Sequence, residues 1–249
     1  MLSSNRTGGS AAAGSPVPDG TLAAGDPPFS AQGNLFAPAP APASPDDRWR
    51  CAVMDPPWQE AGGGGRGAQN HYPLADVRDI RAAILGSGRW TPAEHAHLWC
   101  WYTDNYLPDA LWLVDQLGFR YVRTVIWAKV RGTPAALDFE TGRALEGPAD
   151  PEARLSIGQY ARGAHEGMLF CTRGRGQDPS VYNAARRDVP SVFFAPVPTE
   201  GGRRIHSRKP EAAFEVIEAR SLGPRIEFFA RTARPGWSCW GNEITEESR

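Results

Sequence analysis

The sequence predicts an α/β fold, with a mainly parallel sheet covered by helices on both faces. Two observations support this prediction. Strand-like apolar runs alternate with segments of helical periodicity, and the runs are almost wholly apolar along their length. A strand that is apolar on both sides is buried on both sides, as in a parallel sheet between two helical layers. No glycine-rich dinucleotide motif directly joins a predicted strand to a helix, which argues against an oxidoreductase of that type.

The predicted elements alternate in the order that this fold requires. Residues 75–86, 104–118 and 209–223 are predicted helices, each ending at or near a glycine. Asp104 is expected to cap the second helix, and Pro210 is expected in the first turn of the third. The predicted strands are 49–54, 96–102, 119–130, 166–174, 188–196 and 225–231, with the segment 237–243 following the last of them.

The chain divides into a tail and one domain. Residues 1–45 are rich in Ala, Pro, Gly and Ser and hold too few apolar side chains to form a core, so we expect them to be disordered. Residues 46–249 are the predicted folded domain. Within it, the glycine-rich segment 59–73 and the polar segment 131–157 are predicted loops, both long enough to suggest a function.

Composition argues against several other classes of protein. The sequence has no run of eighteen apolar residues and no basic stretch leading into an apolar segment, so we expect neither a membrane span nor a secretory signal. The four cysteines form no Cys-x-x-Cys pair, which favours reduced thiols in a cytoplasmic protein over disulfides or a zinc site. The net charge of -1 disfavours tight non-specific binding to nucleic acid but permits a local basic patch. The sequence does not indicate an oligomeric state.

The strongest chemical signal is Asp55-Pro56-Pro57-Trp58, which directly follows the predicted strand 49–54. In doubly wound sheets, ligands bind outside the carboxyl ends of strands. A carboxylate and a proline carbonyl that accept both hydrogens of a heteroaromatic amine would favour a pyramidal nitrogen able to attack a methyl group. Trp58 offers a flat face on which a base can stack. The structural alternative is a strand-ending proline turn with a buried tryptophan.

This tetrapeptide and several later blocks resemble the MT-A70-like adenine methyltransferases over residues 49–243. In the family's order, the later blocks are Leu98-Trp99 with Thr103, Gly118-Phe119 leading to Trp127-x-Lys129, His165-Glu166 before a strand ending Arg173-Gly174, Ser207-x-Lys209-Pro210, and Phe229-x-Arg231 followed by Gly236-Trp237 and Gly241-Asn242-Glu243. The catalytic block precedes the cofactor block, which is the permuted order of amino-methyltransferases. One departure is Thr232-Ala233, where the family has a His-Asn pair.

The resemblance implies a Rossmann-like, S-adenosylmethionine-dependent methyltransferase that modifies the N6 amine of adenine in nucleic acid. The implied catalytic residues are Asp55, Pro56, Pro57 and Trp58. The implied cofactor-binding residues are Asp55, Lys209, Glu227, Arg231, Asn242 and Glu243. An ion pair between Glu227 and Arg231 is the structural alternative for those two residues.

Substrate contacts are expected from Trp58 and Tyr72 at the target base and from arginines at the phosphates. We predict that Arg203, Arg204 and Arg208 converge beside Asp55 with the arginines of 162–175 and 186–187. No metal is expected, because His165-Glu166 lacks metal-ligand spacing and suits a structural or substrate-positioning role better. DNA is favoured as substrate because the domain resembles short bacterial and phage members. An RNA substrate and a catalytically inactive partner protein remain open, although inactive relatives usually lose the tetrapeptide or the lysine.

Overall fold

The computed structural model describes residues 48–58, 75–131, 152–155, 161–174, 188–205, 208–242 and 244. The predictions made for the tail, Tyr72, Glu243, Arg186 and Arg187 lie outside these residues, as does most of both long predicted loops. No helix in the described part of the chain is long and apolar enough to cross a membrane.

One mixed sheet organises the described residues. Its strands are β1 (Trp49–Met54), β2 (Pro92–Tyr102), β3 (Arg120–Val130), β4 (His165–Arg173), β5 (Val192–Pro196), β8 (Arg225–Phe228) and β9 (Trp237–Trp240), and a separate hairpin pairs β6 (Thr199–Glu200) with β7 (Arg203–Arg204). The spatial order is β5-β3-β4-β2-β1-β8-β9. Only β4 runs antiparallel to its neighbours in this sheet, so the predicted mainly parallel sheet is confirmed.

Helices cover both faces of the sheet, as predicted. Among the described residues, the α-helices are α1 (Val77–Gly86), α2 (Leu107–Gln116) and α3 (Glu211–Arg220). Alternate residues of β1 point to opposite layers: Ala52 and Met54 pack with α1 and α2, whereas Cys51 and Val53 pack with α3. Because side chains alternate along a strand, a run that is apolar throughout supplies both cores at once.

Three predicted boundaries are wrong for local physical reasons. The strand predicted over 225–231 ends at Phe228 because Phe229 adopts a φ of 61°, a left-handed conformation that turns the chain out of the sheet. Asp104 does not cap α2; it begins a short 3-10 helix that precedes α2. Pro210 is the N-cap of α3, with extended backbone, rather than a residue of its first turn.

None of the four cysteines forms a disulfide. Three are buried and Cys239 is half-buried. Burial raises the pKa of Cys51 and Cys171 to about 12 and raises that of Cys100 as well. Since the thiolate is the reactive form, these three groups act as apolar core side chains.

Candidate active site

Asp55 lies at the carboxyl end of β1, the strand at which the connections of the sheet change direction. β1 pairs in parallel with β2 on one side and with β8 on the other, so the carboxyl ends of all three strands share one edge. A crevice at such a switch point is the usual ligand site of open α/β sheets. The position expected for Asp55 from the sequence is therefore the position it occupies.

Lys209, which lies at the start of α3, forms an ion pair with Asp55. Its Nζ lies 2.7 Å from Asp55 Oδ2, just before the N-cap of α3, and the two side chains are 11% and 26% exposed. The sequence placed both residues at the cofactor, and the structure brings them into direct contact. An ion pair this well shielded from water is screened much less than a surface pair.

Glu166 extends this pair into a four-residue network. Its Oε2 lies 3.3 Å from Lys209 Nζ, and its Oε1 accepts a hydrogen bond of 2.6 Å from Lys129 Nζ. β4 is antiparallel, so its first residues, rather than its last, reach the edge at which Asp55 lies. Asp55, Lys209, Glu166 and Lys129 thus alternate in charge along the carboxyl edge of the sheet.

The network fixes the charges of its members. Burial alone would raise the pKa of Glu166, but Lys209 and Lys129 lower it to about 2. Burial alone would likewise lower the pKa of Lys209, but Asp55 and then Glu166 raise it above its ordinary value. Both groups are therefore charged at neutral pH, with their charges compensated inside the network.

Two tryptophans form the floor beneath the lysines. Lys209 Nζ lies 5.1 Å from the centre of the Trp101 ring, and Lys129 Nζ lies 5.1 Å from that of Trp127. Both rings are core residues, 2% and 1% exposed. A cation over an indole face gains electrostatic stabilisation, so these core residues also support the ionic network.

The residues after Asp55 form a tight turn. The Pro56 carbonyl accepts from Trp58 N at 2.9 Å, and the Pro57 carbonyl accepts from Ala75 N at 3.0 Å. Each of the two proline carbonyls therefore already accepts one hydrogen bond, and each retains a second lone pair that can accept another. Trp58 and Ala75 also form a β-bridge, which pins the two ends of segment 59–74 beside the tetrapeptide.

Trp58 is only 5% exposed. Its Nε1 donates to the Trp101 carbonyl at 3.1 Å, and its ring stacks on Tyr106 with 5.8 Å between centroids. This burial favours a structural role for Trp58. Tyr106 stacks on the ring that was expected to stack on the target base.

Glu227 occupies the adjacent strand, opposite Val53 in the β1–β8 register. Burial raises its pKa to about 7, while Arg234 opposes this shift and Asp55 adds to it. The ion pair between Glu227 and Arg231 stays a prediction. Glu227 thus presents a half-buried carboxyl group on the strand beside the one that ends at Asp55.

Arg234 connects the segment after β8 to the first turn of α3. It forms a two-pronged ion pair with Glu211, one prong being an Nη2–Oε2 hydrogen bond of 3.1 Å. Its guanidinium also lies 3.5 Å from the centre of the Phe214 ring. This clamp fixes the chain immediately after Arg231, where the sequence departs from the family pattern.

The end of β9 approaches the end of β8 closely. Ala230 N donates to the Trp240 carbonyl at 3.0 Å, and any side chain at Gly241 would overlap the backbone of Ala230. Gly241 is therefore required by close packing. Asn242 follows and is exposed at the same edge.

The predicted arginine cluster is contradicted at Arg173 and stays a prediction for Arg203, Arg204 and Arg208. The β6–β7 hairpin carrying Arg203 and Arg204 directly precedes the segment that leads to Lys209, and Arg203 is exposed. Arg173, by contrast, pairs with Ala96 near the start of β2, at the edge of the sheet opposite Asp55. Because β4 is antiparallel, its arginine end points away from the site, and the prediction for Arg173 is wrong.

Sequence reasoning missed the contribution of Glu166 and Lys129 to this site. One signal was available: Lys129 and Lys209 are the only lysines in the chain, where every other long cation is arginine. Both bind the same carboxylate.

An α/β sheet with an acid after β1, a largely buried lysine on that acid and a carboxyl group on the neighbouring strand β8 fits an S-adenosylmethionine-dependent methyltransferase with a Rossmann-like fold. The MT-A70 family model matches residues 49–243, and the chain belongs to the MT-A70 family, whose methyltransferases use S-adenosylmethionine as the methyl donor. A comparison with curated proteins gives no match.

Proposed function

We propose that this protein transfers a methyl group from S-adenosylmethionine to the exocyclic N6 amine of adenine in DNA. The observation that carries the proposal is the position of Asp55, held by Lys209 at 2.7 Å at the switch point of the sheet. Membership of the MT-A70 family supports the same chemistry.

Asp55 has one carboxylate oxygen bound to Lys209, which leaves the other to accept from the acceptor amine. The remaining lone pair of the Pro56 carbonyl would accept the second amine hydrogen. Holding both hydrogens out of the base plane localises the nitrogen lone pair for attack. These contacts strengthen as positive charge develops on the nitrogen, which stabilises the transition state.

The described residues fit S-adenosylmethionine. Glu227 offers a carboxyl group suited to ribose hydroxyls, and Lys209 with its neighbours sets the charge near the methionine end; Arg231, Asn242 and Glu243 are the other proposed contacts. The cofactor supplies the methyl group from its sulfonium. The amine nitrogen held by Asp55 would accept that methyl group and would then release one proton to solvent. The chain's own contribution is alignment of the two centres.

The test uses the purified full chain with S-adenosylmethionine labelled by deuterium in the methyl group. Single-adenine DNA and RNA oligonucleotides are digested separately, and labelled nucleosides are measured by mass spectrometry. We expect labelled N6-methyldeoxyadenosine, its loss in Asp55→Asn, and no change in Asp115→Asn, an exposed control at the end of α2. Label in RNA alone would overturn the DNA assignment, and cofactor binding without label in either would indicate an inactive partner protein.

A further inference from the structure

A cavity opens at the carboxyl edge of the sheet, beside β3 and β5 and not beside Asp55. It has a volume of about 370 Å³, within the range of small-ligand pockets. Ile126, Ala128 and Val130 of β3 and Phe194 of β5 form its apolar walls. These β3 residues alternate with Val125 and Trp127, which face α3, so the cavity lies on the opposite face of the sheet.

The walls of this cavity are incompletely covered. Trp127 is 1% exposed beneath α3, but Ile126 and Ala128 on the other face are only half-buried. Phe194 is also half-buried, and no aromatic ring among the described residues stacks on it. An apolar pocket with an open aromatic face suits a flat, weakly polar ring, such as a nucleobase.

Cations outnumber acids in the sequence next to the cavity-lining residues. Arg131, Arg154 and Arg162 each lie within two residues of a lining residue, as do Glu152 and Glu166, and Lys129 and His165 line the cavity themselves. Arg131 pairs with Glu152 at 3.6 Å, but both side chains are more than 70% exposed, so this pair holds the arginine only weakly. Cations around an apolar pocket complement a base whose flanking phosphates remain in solvent.

The position of the cavity relative to Asp55 sets a spacing along the substrate. β1 and β3 are three strand steps apart, which is about 14 Å at roughly 4.8 Å per step. This separation corresponds to about four nucleotides at the roughly 3.4 Å spacing of a stacked strand. The Lys209–Glu166–Lys129 network spans the interval.

We propose that this cavity binds one unpaired base of the DNA substrate, about four nucleotides from the target adenine, stacked on Phe194. The inference rests on the proposed function, because it assumes that a nucleic acid crosses the carboxyl edge of the sheet. The site makes methylation depend on the presence of a base at a fixed distance from the target, and it favours single-stranded DNA.

The experiment measures kcat and KM of the full chain on single-adenine DNA oligonucleotides in which each flanking nucleotide, up to six on either side, is replaced in turn by an abasic site. We expect one position, three to five nucleotides from the target, at which the abasic site raises KM about tenfold, the size expected from losing one base–aromatic stack. Phe194→Ala raises KM for the intact oligonucleotide similarly and abolishes the penalty at that position.

Two further variants keep the inference falsifiable. Ala128→Phe fills the cavity from its wall and is expected to act like Phe194→Ala, provided that its melting temperature and cofactor affinity are retained. Val122→Ala removes an equally apolar but exposed side chain at the other end of β3 and is expected to change nothing. Methylation by the wild type without any position-dependent penalty, or a penalty that persists in Phe194→Ala, overturns the inference while leaving the proposed function intact. Absence of methylation on every oligonucleotide contradicts the proposed function instead.

Discussion

Lys209 Nζ lies 2.7 Å from Asp55 Oδ2, although 154 residues separate them in the sequence. The contact joins the end of β1 to the start of α3 at the carboxyl edge of the sheet. Glu166 brings a second carboxylate to the ammonium group of Lys209. Removing Lys209 would therefore leave two carboxylates facing each other with their shared cation gone.

We expect Lys209→Ala to lower the free energy of unfolding by about 3 kcal/mol, since uncompensated buried charges are costly. It should also weaken cofactor binding by roughly 1.5–3 kcal/mol if Lys209 contacts the cofactor carboxylate. Urea denaturation and calorimetry measure the two effects. Lys129→Ala is the matched control, because Lys129 binds Glu166 but not Asp55. An equal loss of cofactor affinity in both variants would remove Lys209 from the cofactor site.

Glu227 makes stability depend on pH. Its pKa is raised from 4.5 to about 7 in the folded protein, so the folded state retains a proton that the unfolded chain has released. Stability from this group is present below about pH 4.5 and is lost as the pH rises towards 7. Glu227→Gln removes this loss, so we expect the variant to gain up to about 3 kcal/mol over wild type at pH 8. An identical pH profile for both proteins would contradict the raised pKa.

The same residue should affect cofactor binding in the opposite direction. If the ionised carboxylate accepts hydrogen bonds from ribose, the affinity of the wild type for S-adenosylmethionine rises with pH up to about 7 and then levels. Calorimetry from pH 5.5 to 8.5 compares wild type with Glu227→Gln, which should bind more weakly and lack this rise. Subtracting the variant's profile removes titration of the cofactor itself.

Gly241 tests the close contact between the ends of β8 and β9. Gly241→Ala forces a methyl group into the backbone of Ala230, so we expect a loss of about 1–3 kcal/mol in stability and weaker cofactor binding. Gly86→Ala, where nothing lies within 4 Å of the added carbon, is the control. Thermal unfolding of both variants measures the difference, and equal melting temperatures would show that the ends of the strands separate easily.

Charge reversal locates the path of the phosphates. Arg203→Glu combined with Arg204→Glu should weaken DNA binding and reduce the slope of log affinity against log salt by about 0.9 per lost phosphate contact. Arg120→Glu with Arg123→Glu, in the half of β3 distant from the catalytic edge, is the matched double reversal. Cofactor affinity should stay constant in both. A change of slope in the β3 variant alone would place the DNA on the opposite edge.

The sequence predicted the layers of this fold because the apolar pattern within each strand shows which of its faces are buried. The continuous apolar run of β1 implies two buried faces, and Asp55 follows it in the chain. Glu166 was assigned only a general structural or positioning role, because its partners depend on β4 lying antiparallel between β2 and β3, which no local pattern states. The same reversal explains the wrong prediction for Arg173. Phe229 ended β8 early although its residue type favours strands, because its left-handed backbone overrides that preference.

The bridges Trp58–Ala75 and Val130–Ala153 close the two long segments of this chain at their bases. The residues on either side of each segment are therefore neighbours in space, whatever the number of residues between them. The entropy of closing a loop grows only slowly with the number of residues in it. Insertions, deletions or substitutions between the bridged residues should thus change the free energy of unfolding only slightly. The two segments between the bridged residues can accordingly vary in length and sequence, while the register of the sheet remains unchanged.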